Sequence, residues 1–175
     1  MVRKRSLVAG TRIIFFCGIV ALFLATPARA LDDVQARQTL HGLGAIRVTV
    51  EVDPFFEQEN PGLKAHLQDD VERRLQAAGI TLQPTAMEWL HVSLHTHNAN
   101  PGLAFSVHVD LEQLVQLMRG PHMLALSPTW GTGGVGILPD LSPTSVEFLR
   151  TSVANSVDQF IAAYRRENPL ALGER

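Results

Sequence analysis

Hydrophobic and polar positions change period several times along this chain, and each change marks an element. Residues 45–52 alternate strictly, with Ile46, Val48, Val50 and Val52 on one side and Arg47, Thr49 and Glu51 on the other, which is the pattern of a half-buried strand. Asn60-Pro61 then offers an N-cap and a first-turn proline. Leu63, Leu67, Val71, Leu75 and Ala78 recur at helical spacing until Gly79, where Ile80 supplies the apolar contact of a glycine C-cap. From Trp89 the period returns to two: Leu90, Val92 and Leu94 face one way, His91, Ser93, His95 and His97 the other. The turn formers of residues 97–102 lead into a second alternating run, Leu103, Phe105, Val107, Val109 and Leu111, then Val115 and Leu117, so the two runs predict an antiparallel hairpin. Arg119-Gly120-Pro121 makes the next turn, and residues 122–138 read as a glycine-broken fourth strand ending at Pro139. Ser142-Pro143 opens the longest helix, in which Val146, Leu149, Val153, Val157, Phe160, Ile161 and Tyr164 hold helical spacing up to Asn168-Pro169.

The order β-α-β-β-β-α, with one apolar stripe on each helix, predicts an α+β two-layer sandwich: a four-stranded, mainly antiparallel sheet with two helices on one face. No internal repeat interrupts it, and residues 31–41 and 169–175 are expected as short flexible ends.

The first 30 residues follow a different plan. Arg3-Lys4-Arg5 precedes an uncharged stretch from Ile13 to Ala25, then Pro27 and the small-x-small triplet Ala28-Arg29-Ala30, the three-part build of a secretory signal peptide. Thirteen residues of helix reach about 20 Å, short of the roughly 30 Å hydrocarbon core, so a spanning helix is the weaker reading. Cleavage is expected after Ala30, giving a signal peptide over residues 1–30, a single domain over 31–175 and a periplasmic or secreted location. Contact with the membrane would then be transient, through the signal alone. Cys17 lies within the apolar run, not at its end, so no lipid anchor is expected, and Lys4-Arg5 is not a twin arginine. Export in the unfolded state follows, which disfavours a cofactor loaded in the cytoplasm; no cofactor is expected.

Charge sharpens this division. Of 15 Lys and Arg residues, five (Arg3, Lys4, Arg5, Arg12 and Arg29) precede residue 31, leaving 10 against all 17 acids, a net charge of −7 for residues 31–175. Such an acidic body is ill suited to a nucleic-acid backbone, so no nucleic-acid partner is expected. Cys17 is the only cysteine, so the processed chain has none, which excludes thiol catalysis, a disulfide framework and a cysteine-ligated metal. A mean hydropathy of +0.09 with 18% charged residues excludes a disordered chain.

A signal peptide ahead of the β-α-β-β-β-α order, the Leu43-Gly44-Ala45-Ile46 start, a helix closing in Ala78-Gly79-Ile80, and Thr129-Trp130 before a glycine-rich strand resemble an uncharacterised family of bacterial periplasmic proteins. At fold level the layout is similar to small accessory domains of cell-envelope machinery, such as the N-terminal domain of TolB and the lipopolysaccharide-assembly lipoprotein LptE. That resemblance would cover most of residues 40–168. It implies a binding or assembly role with an envelope protein or another periplasmic component as partner, and it carries over no catalytic residue. The lipid-attachment cysteine of the lipoprotein members is missing.

Histidines carry the main candidate chemistry. His91, His95 and His97 share one strand face, and if the hairpin closes with His97 opposite Ala104, then His95 faces Ser106, Ser93 faces His108 and His91 faces Asp110. Four histidines and a carboxylate on one face would suit zinc, copper or nickel, so His91, His95, His97, His108 and Asp110 form a candidate metal set. The plainer alternative is a polar sheet face turned to water. Gly131-Thr132-Gly133-Gly134-Val135-Gly136 spells the dinucleotide fingerprint, but no helix starts on these glycines and no acid follows at the right distance on a second strand, so a strand with close backbone approach is expected instead. Asp69, Asp70 and Glu72 beside Arg73-Arg74 read as a solvated helix face. Trp89 and Trp130 read as core or edge anchors, and Phe55-Phe56 as a partner-contacting tip or packing beneath the first long helix. The function these features favour is non-catalytic binding through an open sheet face or edge strand, with transition-metal binding as the alternative.

Overall fold

The computed structural model describes residues 28–98, 102–120 and 122–169. Each long alternating run is a strand: β2 is Ala45–Val52, β4 Trp89–Asn98, β5 Leu103–Gln116 and β6 Leu124–Leu138. Their inward residues (Ile46, Val50, Leu90, Val92, Leu94, Val107, Val109, Leu111 and Trp130) are almost wholly buried. Against this face lie the two long helices, α3 (Leu63–Ala77) on β2 and α4 (Pro143–Glu167) on β5 and β6. They contribute Leu67, Val71 and Leu75, and Leu149, Val153, Val157 and Phe160, to the same core. The Phe160 ring meets Trp130 edge-on at 5.3 Å.

The architecture is α+β, but the sheet differs from a four-stranded, mainly antiparallel one. Its main body has five strands in the order β1-β6-β5-β4-β2, with β1 at Ala28–Leu31, and the two-residue β3, Thr81–Leu82, is added beside β2. β1, β6, β5 and β4 are paired antiparallel, whereas β2 runs parallel to both β4 and β3. Parallel pairing follows from the helical crossover, because a strand that returns after a helix arrives in the same direction. β1 and β3 are too short for alternation to reveal them.

Two short helices are also additional. α1 (Val34–Gln38) begins where Asp33 accepts the Ala36 amide, and it buries Ala36 and, just beyond it, Leu40. Residues 31–41 are therefore built into the fold and are not a flexible end. Asp32 fixes them further: its carboxylate accepts from the Trp130 indole at 3.0 Å and from Arg37 at 2.6 and 2.7 Å. α2 (Pro54–Glu59) uses Asp53-Pro54 as cap and first-turn proline, and carries Phe56 into the core while Phe55 stays exposed.

Because α2 intervenes, Asn60-Pro61 does not start α3. Asn60 closes α2, with its amide on the Phe56 carbonyl, and Gly62 turns the chain at φ 88°. The first amides of α3 are met by the Glu57 carboxylate, which accepts from Gly62 at 2.9 Å and Lys64 at 2.8 Å. At the other end the glycine cap forms as expected: Gly79 has φ 83°, its amide reaches Gln76, and the Ile80 amide reaches Leu75. Ser142-Pro143 opens α4 as expected, with the Ser142 hydroxyl facing the Ser145 amide. The signal peptide expectation falls on residues 1–27, outside the described residues, and on β1; residues 170–175 also lie outside them.

Candidate binding surface on the open sheet face

The face of the sheet away from the helices is built from the alternate residues of the same strands, so its rows follow from register. His97 pairs with Ala104, His95 with Ser106, Ser93 with His108 and His91 with Asp110, the register expected from the sequence. The row through His91 continues to Thr49 on one side and to Gly131 and Leu31 on the other. The row through His108 continues to Gly133.

Register brings His91 and Asp110 side by side, and places His95 and His97 further along the strand. His91 turns its Nε2 to Glu51 at 3.2 Å and its ring to Trp89, whose face is covered by Arg47 at 4.7 Å. Among the described residues no three histidine, aspartate or glutamate side chains converge as a group able to hold a metal ion. The spacing along extended strands explains this: same-face neighbours two apart are separated by nearly 7 Å. Asp110 leans over Gly131, where an added Cβ would collide with its carboxylate. Burial pushes the Asp110 carboxyl above the ordinary aspartate range, partly offset by the charges of His108 and His91.

Gly131 to Gly136 lie inside β6, in a strand and not at a helix start. Gly131, Gly133 and Gly136 each have a close neighbour, while Gly134 faces open space. A Cβ on Gly133 would meet the Val107 carbonyl, and one on Gly136 would meet the Phe105 ring. On the inner side, β6 and α4 leave a cleft of about 680 Å³ lined by Phe105, Val107, Gly134, Gly136, Phe148 and Asn155. Gln159, also in its lining, accepts from the Thr132 hydroxyl at 2.7 Å.

The feature that sequence reasoning missed lies past the end of the helices. β5 and β6 continue as a two-stranded arm after a bulge, where Leu111 pairs with Trp130 but Glu112 with Pro128, leaving Thr129 over. Leu114 opposes Leu126, and Gln116 opposes Leu124. Strand alternation sets Leu114 on the face that carries Asp110 and His108. Leu126 and Leu124 are 48% and 62% exposed, and Met118 at the tip is 82% exposed. The signal was present in the sequence as the continued alternation through Val115 and Leu117. What it lacked was any sign of where helical cover stops.

The sequence matches no family model and no curated protein. Among solved structures it is similar to a PelC variant from Paraburkholderia phytofirmans, solved as a dodecamer, with 13% identity, a TM-score of 0.42, and coverage of 81% of this chain and 97% of that one. That likeness is too slight to bear on fold or activity. No helix among the described residues is long and apolar enough to cross a membrane.

Proposed function

We propose that this protein is an exported, non-catalytic binding or assembly component of the bacterial cell envelope, and that the arm of β5 and β6 docks an apolar surface of an envelope protein. In this reading the four long strands and two helices form a rigid platform, a two-layer unit to which β1 and β3 are additions. The exposed leucines of the arm carry the reading. Leu114, Leu124 and Leu126 stand together on one side of a hairpin with Met118 and Met123 at its tip, all exposed. Exposed apolar side chains grouped in this way are unfavourable in water unless something covers them, and Met and Leu are residues suited to adaptable contact. Export is supported by the basic, apolar and small-residue pattern of residues 1–30.

Photo-crosslinking in exporting cells tests both parts. A photoreactive residue at Met118 should give a discrete adduct in the periplasmic or membrane fraction, and Leu124→Glu with Leu126→Glu should abolish the adduct while leaving the circular dichroism spectrum unchanged. An adduct that survives both glutamates, or a protein retained in the cytoplasm with its leader, would contradict the proposal.

A further inference from the structure

β1 covers part of the outer edge of β6. Leu31 lies opposite Gly131 and Ala28 opposite Gly133, in antiparallel register. The bond expected to be cut on export, Ala30–Leu31, lies inside this strand. Cutting it removes three of the four residues of β1 and leaves Leu31 at the new N-terminus, held beside β6 by the Asp32 contacts to Trp130 and Arg37. Among the described residues, the edge from Thr132 onward is then unpaired.

We propose that in the processed protein part of this edge, Gly134–Leu138, pairs antiparallel with the same residues of β6 in a second copy of the chain, about a two-fold axis at Gly136. The inference rests on the export reading, because with β1 in place Ala28 occupies the position opposite Gly133, where the chain of the second copy beyond Leu138 must pass. Four observations carry it. The edge accepts a strand in antiparallel geometry directly beside the proposed seam, where β1 pairs with Gly131 and Gly133. Residues 131–138 hold no charge and no proline, the devices that ordinarily keep a strand edge from pairing. Val135 and Ile137 on the outer face are 72% and 68% exposed. With the axis at Gly136 each Val135 opposes the Ile137 of the other copy, so four exposed aliphatic side chains cover one another.

Neighbouring registers do not achieve this. An axis at Val135 would set Ile137 against Gly133, and one at Ile137 would shorten the ladder to Gly136–Leu138 before Pro139, which has no amide to donate, whereas the axis at Gly136 keeps Gly134–Leu138 and leaves Pro139 just beyond it. On the inner face the same axis sets Leu138 of one copy against Gly134 of the other. No atom lies within 4 Å of the place a Gly134 Cβ would take, so the approaching chain meets open space. The exposed Phe148, lining the cleft beside β6, is carried to the seam. The contact is isologous and closes on itself, giving a dimer and not a filament.

The test uses protein purified from the exported fraction, whose intact mass is read first. A mass starting at Leu31 establishes the premise; a mass that retains residues 28–30 overturns the inference along with the cleavage reading. On the processed protein, sedimentation velocity across about 1–200 µM should show a monomer converting to a dimer, and Val135→Lys or Ile137→Lys should hold it monomeric with an unchanged circular dichroism spectrum. The processed chain has no cysteine, so register can be read by disulfide capture. Val135→Cys with Ile137→Cys should oxidise to a covalent dimer, because directly opposed Cβ atoms come within reach of a disulfide, while each single variant should link at least tenfold less. A processed protein that stays monomeric throughout, or single variants that link as readily as the double, would overturn the proposal while leaving the export reading intact.

Discussion

Asp110 shows how one residue is shaped by its row. It stands between His91 and Gly131, and burial raises its carboxyl above the range it has in an unfolded chain. A folded-state pKa above the unfolded one favours folding at low pH, and that contribution is lost as pH rises through the folded value. At neutral pH the ionised carboxylate is therefore a cost. Asp110→Asn should raise Tm by about 2–4 °C at pH 7, and the difference should vanish below about pH 3, where both states are protonated; thermal melts at the two pH values check it. A carboxylate engaged by a bound cation would give the opposite sign. Gly133 shows the reverse constraint, since a side chain there runs into the Val107 carbonyl. Gly133→Ala should cost about 1–3 kcal/mol in urea unfolding, with no change in melting on adding NAD or ATP. An Ala variant as stable as the wild type would mean that β6 can move away from β5 at this point.

At the scale of elements, the long strands and helices were legible and their ends were not. The period of two across residues 89–98 and 103–111, with the turn residues between, was enough to place His91 opposite Asp110, because register in a hairpin is fixed by the turn and by the buried face. Asn60-Pro61 does not mark the start of α3, because its first amides are met by Glu57, a residue of the preceding short helix, and a six-residue helix has too few turns to show a period. Contacts between distant segments were equally invisible. Asp70 reads in the sequence as part of a solvated face, yet its side chain is largely covered and accepts from Arg150 of α4 at 2.6 Å, with Arg73 on its other side. Burial alone would raise the Asp70 carboxyl, but Arg150 and Arg73 bring it below the ordinary range. A lowered folded pKa gives stability that is present above the unfolded pKa and lost as pH falls through the folded one. Arg150→Met should therefore cost about 0.5–1 kcal/mol at pH 7, the modest figure reflecting solvent access to the guanidinium, and less below about pH 3. Chemical denaturation at the two pH values reads the difference, and an equal loss at both would assign the role of Arg150 to packing.

Across the whole molecule, the two sides of the sheet have separate tasks. One is closed by α3 and α4 around Trp130 and Phe160; the other is open, polar along the histidine rows and apolar at the arm and at Val135 and Ile137. Strand alternation indicates that such a face exists, but the place where helical cover ends depends on the length and seating of α4, which periodicity does not encode. If the histidine rows are a solvated surface, tenfold excess zinc should leave Tm within about 1 °C, and His91→Ser with His95→Ser and His108→Ser should fold normally. A zinc-dependent rise lost in that variant would assign these rows a metal. The central claim is that the arm of β5 and β6 is the docking surface of an exported protein, and crosslinking from Met118 in exporting cells tests it most directly. The account predicts one envelope-fraction adduct that disappears with Leu124→Glu and Leu126→Glu in a normally folded protein; an adduct indifferent to those substitutions, or none from a correctly exported chain, would contradict it.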